Sequence, residues 1–238
     1  MFLKSRTVVV LGGSSGMGLA TAKAAAAEGA KVVITGRSKE KLKAAQSELP
    51  AGTIAESLDV TDEAGTRSLF ERIGHLDHLY ITAATVTLAS GLATETPALR
   101  PSMDTRFWGS LYAAKYGAAH MKDGGSITFT SGVSGWRPRP GSSVGAASCG
   151  AVEAFARSLA LELAPIRVNT VQPGFIDTPL IDELIGERKA ALVAMQAARL
   201  PVKRIGTSED IAEAVLFLMK NGFVTGITLT VDGGHTLI

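Results

Sequence analysis

Residues 12–18 read Gly12-Gly13-Ser14-Ser15-Gly16-Met17-Gly18, directly after the apolar run TVVVL and directly before an alanine-rich helical segment. Glycine at Gly12 allows a tight turn, and Gly16 and Gly18 let backbone come close to a pyrophosphate. A helix beginning there turns its free N–H groups and positive dipole end toward the anion. No Gly-Lys-Ser/Thr ending follows, which argues against a loop for a nucleoside triphosphate. The next apolar run ends in Gly36-Arg37-Ser38. A dinucleotide with free ribose hydroxyls asks for Asp or Glu at that point. The Arg37 guanidinium suits a 2′-phosphate instead, and Ser38 or Ser14 could add a hydrogen bond. The pair of signals points to NADP(H); a solvated arginine is the plainer alternative.

The elements that must hold these residues follow from periodicity. Short apolar runs at 7–11, 31–35, 53–58, 78–82, 126–130, 167–171 and 227–231 read as strands, several of them continuously apolar and β-branched. Helical patterns near 16–29, 39–48, 62–73, 101–121, 143–164 and 208–220 separate them. Such alternation predicts an α/β Rossmann fold, a doubly wound seven-stranded parallel sheet with helices on both faces. One domain over 1–238 is expected. The irregular stretches at 131–143 and 172–204 follow late strands, where such a sheet has its substrate side.

The chain has 238 residues, 46% hydrophobic and 19% charged, with 26 glycines and a formal charge of +2. That balance is too mild to suggest a nucleic-acid or membrane partner. A single cysteine, Cys149, rules out an intrachain disulfide and favours a reducing, cytoplasmic setting. No apolar run reaches the length expected of a membrane span. His75 and His78 flank Asp77 without a convincing metal-ligand set, so surface roles are expected for them and no metal is expected.

The ordered motifs resemble the short-chain dehydrogenase/reductase family over nearly the whole chain. The glycine loop is similar to the family's Thr-Gly-x3-Gly-x-Gly, with Leu11 in place of Thr. Arg167-Val168-Asn169 through Pro173-Gly174, then Thr178-Pro179-Leu180 and Val231-Asp232-Gly233-Gly234, match later family segments. The resemblance implies that Asp59 and Val60 meet adenine. It also implies that Ala83 and Ala84 line the cofactor, and that Pro173, Gly174, Ile176 and Thr178 surround the nicotinamide end. It further implies a homodimer or homotetramer, with the 101–121 and 143–164 helices at the subunit contact.

The family's catalytic Asn, Ser, Tyr and Lys are mostly replaced. Ser131 fills the Ser position, and Arg106 falls at the Asn position. Stepping on from Ser131 by the family's usual interval puts Val144 at the Tyr position and Ser148 at the Lys position. The family's Asn-Asn-Ala-Gly reads Thr82-Ala83-Ala84 after Ile81. Valine moves no proton and serine carries no fixed charge, so the usual proton delivery is absent.

Three functions could use this scaffold. One is an oxidoreductase passing hydride between NADP(H) and a small carbonyl, alcohol or enone, with Ser131 and Arg106 handling the substrate oxygen. Another is a catalytically inactive NADP(H)-binding sensor or partner subunit. A non-redox isomerase or lyase is the third. Arg137 and Arg139, on the proline-stiffened 134–140 loop, could recognise a carboxylate or phosphate, or be a solvated or subunit-contact loop. Glu183 is a candidate replacement acid. The Arg37 reading predicts that Arg37→Asp weakens NADPH binding far more than NADH binding, as measured by fluorescence titration of both nucleotides. Equal losses would contradict it.

Overall fold

The computed structural model describes residues 1–86 and 92–238, with the backbone alone for 183–185. Seven strands form one all-parallel sheet: β1 (Thr7–Leu11), β2 (Lys31–Gly36), β3 (Ile54–Ser57), β4 (Leu76–Ile81), β5 (Met121–Thr130), β6 (Arg167–Pro173) and β7 (Thr228–Val231). Their order is β3-β2-β1-β4-β5-β6-β7. The order reverses between β1 and β4, and a crevice opens there beyond the strand ends.

Alternate residues of each strand serve opposite faces. Val9, Leu11, Leu79, Ile127 and Phe129 pack with one group of helices, α3 (Glu63–Ile73), α5 (Gly109–Ala118) and α6 (Ser143–Glu162). Val8, Val10, Tyr80 and Val171 face α1 (Gly16–Ala27) and α9 (Ser208–Lys220), while Ile34 meets α2 (Lys39–Ser47). Burial on both sides explains why these strands read as continuous apolar runs. Each buried Val or Leu contributes roughly 1.5–3 kcal/mol before conformational entropy is set against it.

The helix ends are specified locally. Thr207 and Asp210 form a capping box at the start of α9, and Arg204 grips Asp210 with contacts of 2.6 and 2.7 Å. At its other end the buried Arg167 donates to the carbonyls of Leu218 (2.5 Å) and Met219 (2.8 Å), ties that fasten β6 to α9.

Several expectations are corrected. The 101–121 helix is three pieces: α4 (Thr96–Met103), a π-helical turn over Asp104–Trp108, and α5. Pro101 lies inside α4, and the Thr105 hydroxyl bonds back to its carbonyl at 2.7 Å, which perturbs the regular ladder there. The 172–204 stretch is not irregular, since it contains α7 (Pro179–Ile185) and α8 (Lys189–Arg199). By length and composition α6 is apolar enough to cross a membrane, contrary to the sequence reading. Its residues Val152, Ala156, Leu159 and Ala160 are packed into the core beside the sheet.

His78 is not a surface residue. It is 3% exposed in β4, with Nδ1 2.8 Å from the Ser126 hydroxyl. Burial holds its pKa down at about 4 against an ordinary 6.5. The folded state therefore keeps His78 neutral where the unfolded chain protonates, and the stabilisation is present above the unfolded pKa. Stability should fall as pH drops from 6.5 toward 4, by on the order of 2–3 kcal/mol. Urea unfolding across that window should show the slope, and His78→Gln should flatten most of it.

Candidate active site

Two cavities meet at the crevice. One, of about 580 Å³, runs along the carboxyl ends of β1, β2 and β4. It is lined by Gly12, Ser14, Ser15, Gly16, Met17 and Gly18, then by Arg37, Ser38, Asp59, Val60, Ala83 and Ala84. All the residues expected from the glycine loop, the Arg37 pair and the resemblance on this side are thus brought together.

Gly12 and Gly18 are required by contact. A Cβ at Gly18 would sit 2.1 Å from the Gly12 carbonyl oxygen, and one at Gly12 would sit 2.7 Å from the Ala83 amide nitrogen. Gly12 also has φ +92°, in the region that favours glycine. This close packing starts α1 at the carboxyl end of β1. Ser15 caps that helix in extended conformation without a side-chain hydrogen bond, and no acidic residue stands in its first turn. The first-turn amides of α1 consequently face the cleft without a side-chain cap, which fits a phosphate group.

At the far end Arg37 is exposed, and Lys41 also lines the cleft. Lys41 was missed by the sequence reading, because nothing in its spacing distinguishes it from Lys39 or Lys43. The Ser38 hydroxyl caps α2 through the Lys41 amide (3.1 Å) and donates to Glu40 (2.9 Å), so capping occupies it. Ser14 Oγ lies against Gly36, where a Cβ would come within 2.6 Å of it.

The second cavity, of about 540 Å³, adjoins the first. Met17, Thr82, Ala84, Thr85, Thr178 and Leu180 line both. Its walls bring together Ser131, Arg106, Pro173, Gly174, Ile176 and Thr178. Ser131 is 4% exposed, and its hydroxyl has no hydrogen-bond partner among the described residues. Arg106 sits on the π-helical turn, 8% exposed. Its Nη1 donates to the Ser131 carbonyl at 2.9 Å and the Thr130 carbonyl at 3.4 Å, while Nε is unpartnered among the described residues. Arg106 and Ser131 are therefore joined through backbone.

The α6 register differs from the sequence reading. The helix residues that line the cavity are Gly145 and Cys149, not Val144 and Ser148. Ser148 is fully buried and donates to the Gly145 carbonyl at 2.8 Å. One residue turns a helix by about 100°, so an offset of one moves a pair off the working face. No Tyr or Lys lines this cavity among the described residues. Tyr80 is buried in the core with its hydroxyl 3.1 Å from Thr130 Oγ1, and Tyr116 donates to Glu63 at 2.7 Å. The side chain of Glu183 lies outside the described residues.

The C-terminal segment reaches the same cavity. Gly233 and Gly234 have φ of +62° and +85°, and Asp232 accepts from the amides of Gly234 and Thr236 at 2.8 Å each. Burial would raise the Asp232 pKa, yet those bonds hold it below the ordinary value. The turn carries His235 into the cavity wall.

Comparison with known proteins agrees with this geometry. A family model described as enoyl-(acyl carrier protein) reductase matches residues 12–236. The chain is 36% identical to the short-chain dehydrogenase/reductase ATR9 of Stachybotrys chlorohalonatus, over 99% of this chain and 98% of that one. It is 33% identical to the NADP-dependent (R)-specific alcohol dehydrogenase of Lentilactobacillus kefiri, over 98% of each. A solved small-chain dehydrogenase in complex with NADPH superposes with a TM-score of 0.87 at 35% identity, covering 99% of this chain and all of the other. The chain belongs to the short-chain dehydrogenase/reductase family.

The contacts around the loop predict that Gly18→Ala lowers stability by about 1–3 kcal/mol, since backbone must move to admit the Cβ. Gly145→Ala, where an added Cβ meets nothing within 4 Å, should leave stability unchanged or higher. Urea titration of both variants checks the contrast.

Proposed function

We propose that this chain is an oxidoreductase that holds NADP(H) along the 12–18 loop and acts on a small carbonyl, alcohol or enone in the adjoining cavity. The observation that carries the reading is the join between the two cavities, where six residues belong to both walls. Further support comes from the NADP-dependent relative and the NADPH-bound neighbour. Arg37 and Lys41 would hold the 2′-phosphate as cations, and the first-turn amides of α1 would hold the pyrophosphate. Pro173, Gly174, Ile176 and Thr178 would wall the nicotinamide end.

When bound, NADP(H) supplies or accepts a hydride. The chain's own residues do the positioning. The Ser131 hydroxyl orients the substrate oxygen, and the Arg106 guanidinium, held by two carbonyls, stabilises negative charge developing on it. Gly145 and Cys149 stand on the α6 face that would otherwise carry a proton donor and a charged partner, so proton delivery is non-standard. Water entering the space beside Gly145 takes the donor's place.

A second reading is favoured by the same wall. Without Tyr or Lys on it, the protein would bind NADP(H) without turnover, as a sensor or partner subunit. NADPH oxidation against aldehydes, ketones and enones separates the two, and tight binding with no turnover on any of them would establish the second. Gly145→Tyr combined with Cys149→Lys should raise ordinary carbonyl reduction by roughly a hundredfold, the contribution of a positioned proton donor. No gain in a folded, nucleotide-binding double variant would contradict the α6 register.

A further inference from the structure

The second cavity is lined by four arginines and a histidine. Arg106, Arg137, Arg139, Arg188 and His235 all line it, and no Asp or Glu does among the described residues. Four arginines elsewhere are paired with carboxylates, in Arg6–Asp77, Arg72–Glu56, Arg67–Glu71 and Arg204–Asp210. Among the described residues no such partner stands beside the four around the cavity. Between them the wall is largely apolar, with Val133, Phe175, Ile176, Leu180, Ile181 and Leu192.

The mouth of the cavity is organised. Arg139 Nη2 lies 2.8 Å from His235 Nε2. A guanidinium only donates, so Nε2 accepts and the imidazole hydrogen sits on Nδ1. That Nδ1 is buried and has no partner among the described residues. Burial, with Arg139 next in weight, holds the His235 pKa below its ordinary value, so the ring stays neutral and acts as an acceptor that orients Arg139. The loop is held as well. Arg139 and Ser142 exchange hydrogen bonds of 3.0 and 2.7 Å, and Arg137 Nη1 donates to the Thr236 carbonyl at 3.3 Å. Two exposed guanidinium groups are thereby held on successive residues of the C-terminal turn, His235 and Thr236, at the mouth of one cavity.

We infer that the cavity takes an apolar carboxylic acid, its carboxylate gripped by Arg137 and Arg139 and its apolar body directed toward Ser131 and Arg106. This rests on the reading of that cavity as the substrate side and deepens it to a substrate class. The apolar wall favours a carboxylate on a hydrocarbon body over a free phosphate, although guanidinium groups bind either.

The test is calorimetric titration of the full-length protein, with and without NADP+, using 4-oxo-4-phenylbutanoate, its methyl ester and inorganic phosphate. NADP+ is also titrated alone. A failure of the cofactor reading then shows as absent nucleotide binding, and the comparison of acid with ester is read independently. The acid should bind at least roughly tenfold more tightly than the ester, the range of a charge-assisted hydrogen bond. The advantage should vanish in Arg137→Ala combined with Arg139→Ala and return in part in Arg139→Lys, which keeps charge without the planar fork. Equal binding of acid and ester, no binding of either, or phosphate binding as tightly as the acid would overturn the inference.

Discussion

The site depends on one close approach of backbone to backbone. Gly12, Gly18 and the Thr82–Ala83 segment meet so tightly that a single Cβ would drive atoms to within 2.1–2.7 Å. That contact lets α1 begin against the end of β1 with its first-turn amides turned outward. It also pins the end of β4, from which Thr82, Ala84 and Thr85 reach both cavities. The crevice at the reversal of strand order is therefore a consequence of packing around missing side chains. Small residues here serve proximity, which explains why so glycine-rich and alanine-rich a chain still builds an ordered sheet.

Charge is distributed along the same axis. The cleft has a guanidinium and an ammonium group where a cofactor's ribose would lie, and helix amides where its phosphates would lie. Past the join, Arg106 is buried and bonded only to carbonyls, and further cations stand at the outer mouth. Arg167 is likewise buried and bonded to carbonyls, where it fastens β6 to α9; Arg106 differs in standing in a cavity wall with its Nε unpartnered among the described residues. Where α6 lines the same cavity, Gly145 and Cys149 present little bulk and no fixed charge.

Much of this was legible in the sequence, and the parts that were not have physical reasons. The strands declared themselves because burial on both faces demands unbroken β-branched runs, and the glycine loop because its spacing is forced by contact. Arg37 could be placed at the cleft because it directly follows β2, a strand legible from its apolar run. The α6 positions could not be phased by counting from Ser131, since the length of the intervening loop is not fixed by the fold and a one-residue offset turns the helix face away. His78 looked like a surface residue beside Asp77, yet β4 is central and buries it against Ser126. The 101–121 pattern read as one helix beginning at Pro101, whereas Pro101 lies inside α4 and the wide turn that carries Arg106 depends on tertiary contacts. His235 and Arg139 are distant in sequence, and only the paired glycines near the C-terminus bring them together.

The central claim is that one crevice holds a phosphorylated dinucleotide along the glycine loop and presents its reactive end to the Ser131 and Arg106 wall. A crystal structure grown with NADP+ measures this most directly. The account predicts the pyrophosphate against the first-turn amides of α1 and the 2′-phosphate between Arg37 and Lys41. The nicotinamide should lie between the Pro173-to-Thr178 segment and Ser131. A nucleotide bound elsewhere, or one whose 2′-phosphate points away from Arg37 and Lys41, would contradict it.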